Sequence, residues 1–183
     1  MKNVKTTLKN GQILTSREAT VADAEAILAY LALIGAQSDN LDFGAEGIGY
    51  TPEDEAAFIE AVQTSDNGKI LMGFIDHELV SVAHLAGKSK RPRTKHVATL
   101  AISVLQAHWH HGIADAMLGA LIDWAKSNPI LRVLDLAVRA DNARAIALYT
   151  RHGFSFSGRF PQRFRIEGHS FDTLLMVKEL CHD

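Results

Sequence analysis

The chain has a single cysteine, Cys181, near its end. One thiol cannot close an internal disulfide, so a disulfide scaffold is excluded and a reducing compartment is expected. Long apolar runs are missing as well, and nothing approaches the ~20 residues that a membrane-spanning helix needs. The opening stretch MKNVKTTLKNGQILTSREAT lacks the apolar core of a secretory signal. These absences predict a soluble, cytoplasmic protein without a membrane partner. An excess of one charge is also lacking. Lys and Arg number 19 against 21 Asp and Glu, a formal net charge of −2, which offers no general attraction to nucleic acid or anionic lipid. No internal repeat or low-complexity segment occurs, and no Gly-x-Gly-x-x-Gly follows the first strand, which disfavours a Rossmann domain. What is present is 183 residues, 47% of them apolar, enough for one domain with a sizeable core.

Residues 1–11 are polar and end in Asn10-Gly11, which predicts a flexible N-terminal tail or a hairpin entrance ahead of a domain over 12–183. Gln12–Arg17 is a short strand, and Thr20 or Asp23 caps a helix whose stripe is Ile27, Leu28, Leu31 and Ile34. Glycines 35, 44, 47 and 49 mark a long loop over 35–51, a length typical of lids and binding loops. Thr51-Pro52-Glu53-Asp54-Glu55 starts a second helix. Strands follow at Lys69–Ile75 and Leu79–Ala86, and then a basic run from Lys88 to Lys95, expected to be solvated. Leu131–Val138, a short helix after Asp141-Asn142 stopped by Gly153, and two closing strands complete the chain. The order is strand, two helices, three strands, helix, strand, helix, two strands. This is a single α/β (α+β) domain on a mixed sheet.

The stretch Ala98–Lys126 carries the chemistry. It reads as a buried strand, a sharp loop closed by Gly112, and a helix with Ile113, Met117, Leu121 and Trp124 on one face. A glycine at a strand-to-helix turn lets several backbone N–H groups point outward together at the positive end of the helix dipole, which suits a phosphate. An ordinary turn with a packing glycine has the same local pattern. A second stretch separates the two readings. SVLQAHWHHGIADAML, from Ser103, and NARAIALYTRHGF, from Asn142 to Phe154, together resemble the GNAT superfamily of N-acetyltransferases. Trp109-His110-His111-Gly112-Ile113-Ala114 occupies the Gln/Arg-x-x-Gly-x-Gly/Ala slot. Asn142, Ala145, Leu148, Tyr149, Gly153 and Phe154 match the second signature. Trp109 departs from the usual Gln or Arg.

The resemblance implies the GNAT fold: a mostly antiparallel central sheet of about six to seven strands flanked by four helices. It implies acetyl-CoA as cosubstrate, without a metal, and acetyl transfer to a primary amine by direct attack in a ternary complex. The acceptor would be a small cationic amine, an amino acid or a peptide N-terminus, and the fold admits a homodimer. By the same resemblance Ile102, Val104, Trp109, His110, His111, Gly112, Ile113, Ala114, Asn142 and Tyr149 would contact the cofactor. Tyr149 would be the general acid, since a phenol of pKa near ~10 can serve a thiolate of pKa near ~8.5. Packing in the core is the other reading of that ring, and helix capping is the other reading of Asn142. Asp115 is unhelpful beside an anionic ligand, and His108, His110 or His111 would offset it. His-x-His-His lacks acidic or cysteine neighbours, so no metal site is expected. The base stays open among His96, His84, Glu46, Asp172, Glu53 and a water chain. Asp39, Asp42, Glu46, Glu53, Asp54 and Glu55 form an acidic crowd that would attract a cationic amine or merely start a helix. A non-catalytic acyl-CoA-binding or regulatory domain is the alternative function, and nucleic-acid binding through the basic run ranks last.

Overall fold

Two capping boxes set the frame of the N-terminal half. Thr20 donates its backbone N–H to an Asp23 carboxylate oxygen at 2.8 Å, while Arg17 grips the same carboxylate with two bonds of 2.6 and 2.7 Å. At Thr51 the hydroxyl accepts from the Asp54 N–H at 3.2 Å, and Asp54 accepts from the Thr51 N–H at 3.0 Å. Each box satisfies donors that a helix start leaves unpaired. The helices that follow are α1 (Ala24–Gln37) and α2 (Pro52–Gln63) in the computed structural model, which describes residues 3–87 and 91–180. Cys181 and Lys88–Lys90 of the basic run lie outside the described residues.

Eight strands form one sheet: β1 (Val4–Thr7), β2 (Ile13–Glu18), β3 (Lys69–Ile75), β4 (Glu78–Gly87), β5 (Val97–Val104), β6 (Val133–Arg139), β7 (Ser155–Ile166) and β8 (His169–Glu179). Their spatial order is β1-β2-β3-β4-β5-β6-β8-β7. Two helices complete the chain, α3 (Ile113–Ser127) and α4 (Ala143–Arg151). The sheet has one strand more than the six to seven expected. The addition is β1, which falls in the expected flexible tail and instead pairs with β2 from Val4↔Ser16 to Thr7↔Ile13. Its sequence, VKTT, is mostly exposed, so no alternation of buried and open residues advertises it.

All neighbours pair antiparallel except β5 and β6, which run parallel because α3 carries the chain across between them. That parallel pairing is short. It covers Val97 to Thr99 against Val133 to Asp135, closed by a Thr99 hydroxyl bond to the Asp135 carboxylate at 2.8 Å. β5 then continues to Val104 without β6 beside it. The core below is sealed by α3, whose Ile113, Met117, Leu118, Leu121, Ile122 and Ala125 are buried. Trp124, expected on the same stripe, stays partly open with the Lys69 ammonium 5.3 Å from its ring centre.

α1 runs to Gln37, past Gly35, which the sequence pattern places in the loop. Gly35 is there for close approach: a Cβ on it would lie 1.9 Å from the Gly44 carbonyl oxygen. The glycine-rich loop is thereby packed down on the helix. No helix among the described residues is long and apolar enough to cross a membrane.

Candidate active site

The parting of β5 from β6 opens a cavity of about 1030 Å³, within the range of a large-ligand site. Along β5, Leu105 donates to the Val80 carbonyl at 3.0 Å. In an antiparallel ladder alternate residues share that orientation, so Ser103 and Ala101 also turn toward β4. Ile102 and Val104 therefore turn their peptide groups the other way, toward the cavity, and both line it.

After Val104 the chain makes a one-turn 3-10 helix (Gln106–His108) and reaches Trp109, whose indole N–H donates to the Val104 carbonyl at 2.7 Å. His110 and Gly112 take positive φ, 67° and 89°, and Gly112 caps α3 without any side-chain acceptor for the first-turn N–H groups. A Cβ at Gly112 would find only the Lys9 stem, at 3.8 Å or more, so the approach to these N–H groups is open. Trp109, His110, Gly112, Ile113 and Ala114 all line the cavity. His111 does not; its ring packs edge-on against His108, 6.5 Å between centres, with Nδ1 buried and unpartnered. Such a set of converging backbone donors is suited to a phosphate.

Charge at this end comes from distant segments. Lys9, Arg144 and Arg151 line the cavity beside His108 and His110. Lys9 was hidden by the tail reading, and Arg144 by its distance from the loop in sequence. The Arg144 guanidinium lies 4.5 Å over the Trp109 ring. Asp115 does not act alone against an anion. It accepts from His152 Nε2 at 2.9 Å and lies 3.4 Å from Arg151, and these partners hold its carboxyl below the ordinary range.

α4 brings Asn142 and Tyr149 to the same cavity. Asn142 does cap the helix, its side-chain oxygen accepting from the Ala145 N–H at 3.1 Å, which leaves its amide N–H₂ for the cavity. Tyr149 is buried, and its ring meets Phe154 edge-on at 5.9 Å. Burial pushes its phenol up to about 12, above the ordinary value near 10 that the sequence suggests.

The remaining walls come from the loop after α1, with Ser38, Asn40, Leu41 and Asp42, and from β7, with Phe160, Gln162, Arg163 and Phe164. Arg139 fastens that loop. It donates to the Asp39 carbonyl at 2.7 Å, pairs with Asp141 at 2.7 Å, and lies 4.2 Å over the Phe171 ring. In β7 a break in register between Phe160 and Phe164 puts Gln162 at φ 50°, its N–H held by Asp172 at 2.8 Å.

None of the candidate bases lines the cavity. His84 packs against Phe58, 5.8 Å between ring centres, and burial lowers it to about 4. His96 precedes β5, at the end of the strand opposite Val104, roughly 25 Å away at ~3.3 Å per residue. Asp172 is engaged by Arg159 and Gln162, Glu46 accepts from the Gly44 N–H at 2.8 Å, and Glu53 is exposed on the first turn of α2. The acidic crowd is mostly structural: Asp54 caps α2, Glu55 is buried in it, and only Asp42 of the six faces the cavity. Among the described residues no group of His, Cys, Asp or Glu is arranged to hold a metal ion.

Known proteins are similar to this chain in sequence and fold. The family model for "Acetyltransferase (GNAT) family" matches residues 38–154. L-amino acid N-acetyltransferase AaaT of Escherichia coli is 30% identical over 111 residues, 60% of this chain and 67% of that protein. Among solved structures, an acetyltransferase of the GNAT family from Streptococcus pneumoniae superposes with a TM-score of 0.87 at 30% identity, covering 92% of this chain and 99% of that one. The acetyltransferase yncA of Salmonella typhimurium, solved with its cofactor acetyl-CoA, shares the fold at a TM-score of 0.79 and 20% identity, covering 93% and 95%.

Proposed function

The chain belongs to the GNAT acetyltransferase family, and from that premise we propose that it transfers the acetyl group of acetyl-CoA to the primary amine of a small acceptor. The observation that carries this reading is the convergence of three things on one cavity. They are the outward peptide groups of Ile102 and Val104, the uncapped first turn of α3 at Gly112, and Tyr149, which lines the same wall. The first two suit the amide-rich arm and phosphates of CoA; the third offers a hydroxyl donor for a leaving sulfur. Acetyl-CoA supplies the activated thioester. The amine nitrogen bonds to the acyl carbon, the carbon–sulfur bond breaks, and the Tyr149 hydroxyl donates a hydrogen bond to the sulfur, which departs as the CoA thiolate and is protonated by solvent. With a phenol near 12, complete transfer to an ordinary thiolate is uphill by about 5 kcal/mol. The group acts chiefly as a hydrogen-bond donor that stays protonated throughout the working range. The proton lost by the amine goes to water, since the histidines and carboxylates named as bases stand elsewhere.

For the acceptor we favour an α-amino acid. Asp42 offers a carboxylate to an ammonium, Arg163 offers a guanidinium to a carboxylate, and Phe160 and Phe164 line the same cavity. The similarity to an L-amino acid N-acetyltransferase of Escherichia coli supports this reading. Thiol release measured over amino acids, polyamines, aminoglycosides and peptide N-termini tests both levels. Turnover highest with amino acids is expected. Turnover with polyamines alone overturns the acceptor class. Tight CoA binding with no release for any amine leaves the non-catalytic acyl-CoA-binding domain.

A further inference from the structure

The loop from Leu105 to Gly112 contains no lysine or arginine, yet it forms the end of the cavity that suits phosphates. The cations there arrive from other elements. Arg151 is drawn toward Asp115 at 3.4 Å. Arg144 is different: no carboxylate pairs with it among the described residues, and its guanidinium carbon lies over Trp109, 4.5 Å from the ring centre. Trp109 is itself pinned, its indole N–H bonded to the Val104 carbonyl at 2.7 Å. A guanidinium stacked on a ring uses its face for the contact, and its N–H groups lie in the plane, still free to donate. The contact with the ring therefore holds the charge at this end of the cavity, and no carboxylate among the described residues takes up its donors.

We propose that Arg144 is a side-chain contact for the phosphates of CoA, beside Lys9 at the same end of the cavity and held in position by the face of Trp109. The assignment rests on the acetyl-CoA reading above. It gives Trp109 a role that its own side chain cannot fill, since an indole carries no charge for a phosphate. The charge comes from the first turn of α4, and the ring supplies the platform.

Calorimetric binding of CoA and of 3′-dephospho-CoA to the full chain tests this, with thermal melts confirming that each variant folds. Arg144→Gln is expected to weaken CoA about tenfold and to flatten the dependence of Kd on salt. Arg144→Lys recovers only part, because a point charge replaces a planar fork. Trp109→Ala weakens binding as well, but adds little in the Arg144→Gln background, because the two act as one unit. If the loss in Arg144→Gln persists with 3′-dephospho-CoA, the pyrophosphate is the partner; if it vanishes, the 3′-phosphate is. Either supports the proposal. Wild-type binding of CoA with Arg144→Gln within twofold of it overturns the proposal while leaving the acetyl-CoA reading intact. No binding by the wild type overturns that reading and the proposal with it.

Discussion

Tyr149 owes its position to the end of its own helix. Phe154 donates its N–H to the Tyr149 carbonyl at 3.0 Å and Gly153 donates to Thr150 at 2.9 Å, with Gly153 at φ 81°. This is a Schellman ending, and the ring contact between Tyr149 and Phe154 is its customary apolar clasp. The glycine and phenylalanine that close the second signature are thus the residues that aim the tyrosine. Tyr149→Phe keeps the clasp and removes the donor, so kcat should fall about 10²-fold. The wild-type rate should rise with pH as the amine loses its proton, with no fall by pH ~10 that Tyr149→Phe removes, because the phenol titrates near 12. Such a fall, read from a kcat profile, contradicts the role of burial. A second residue-scale expectation concerns Asp23, lowered to about 2 by its bond from Arg17 and then by Thr20. A depressed carboxylate contributes stability that is fully present above its unfolded value near ~4 and is lost as pH falls through the folded one. Asp23→Asn should therefore lower Tm at pH 6, and the gap should close as melts are repeated down toward pH 2. A gap constant with pH contradicts it.

Among the elements, those with strong local signals were legible from the chain and those built by distant partners were not. Thr51-Pro52 and Asn142 announce α2 and α4 because capping is local chemistry, written within four residues. β1 shows in the sequence only as a hairpin entrance at Asn10-Gly11, because its hydrogen bonds come from β2 and its side chains carry no pattern. Glycines 44, 47 and 49 are legible as a loop, but Gly35 lies in α1, and its purpose is not local, since its close neighbour is Gly44. A methyl group at 35 forces the Gly44 backbone away, and with it the loop carrying Asn40, Leu41 and Asp42 on the cavity wall. Gly35→Ala should raise KM for the amine several-fold more than KM for acetyl-CoA. Equal rises in the two constants would show that this loop does not shape the acceptor end.

At the scale of the whole molecule, the cavity exists because β5 and β6 share only three residue pairs before they part. The loop at Gly112 and the helix at Asn142 could be recognised from sequence, since each is a contiguous motif. What joins them could not. Lys9 and Arg144 reach the same end of the cavity from segments far apart in the chain, and the histidines that looked suited to base chemistry are carried elsewhere by strand direction and packing. One cavity holds both the uncapped helix start at Gly112 and Tyr149, and the proposed acetyl transfer joins them. It is tested most directly by following CoA thiol release and acetylated amine by mass in one reaction, with an α-amino acid as acceptor. The account predicts one thiol for each N-acetylated product, saturable in both substrates and strongly reduced in Tyr149→Phe. Thiol release without acetylated amine, or equal product from Tyr149→Phe, would contradict it.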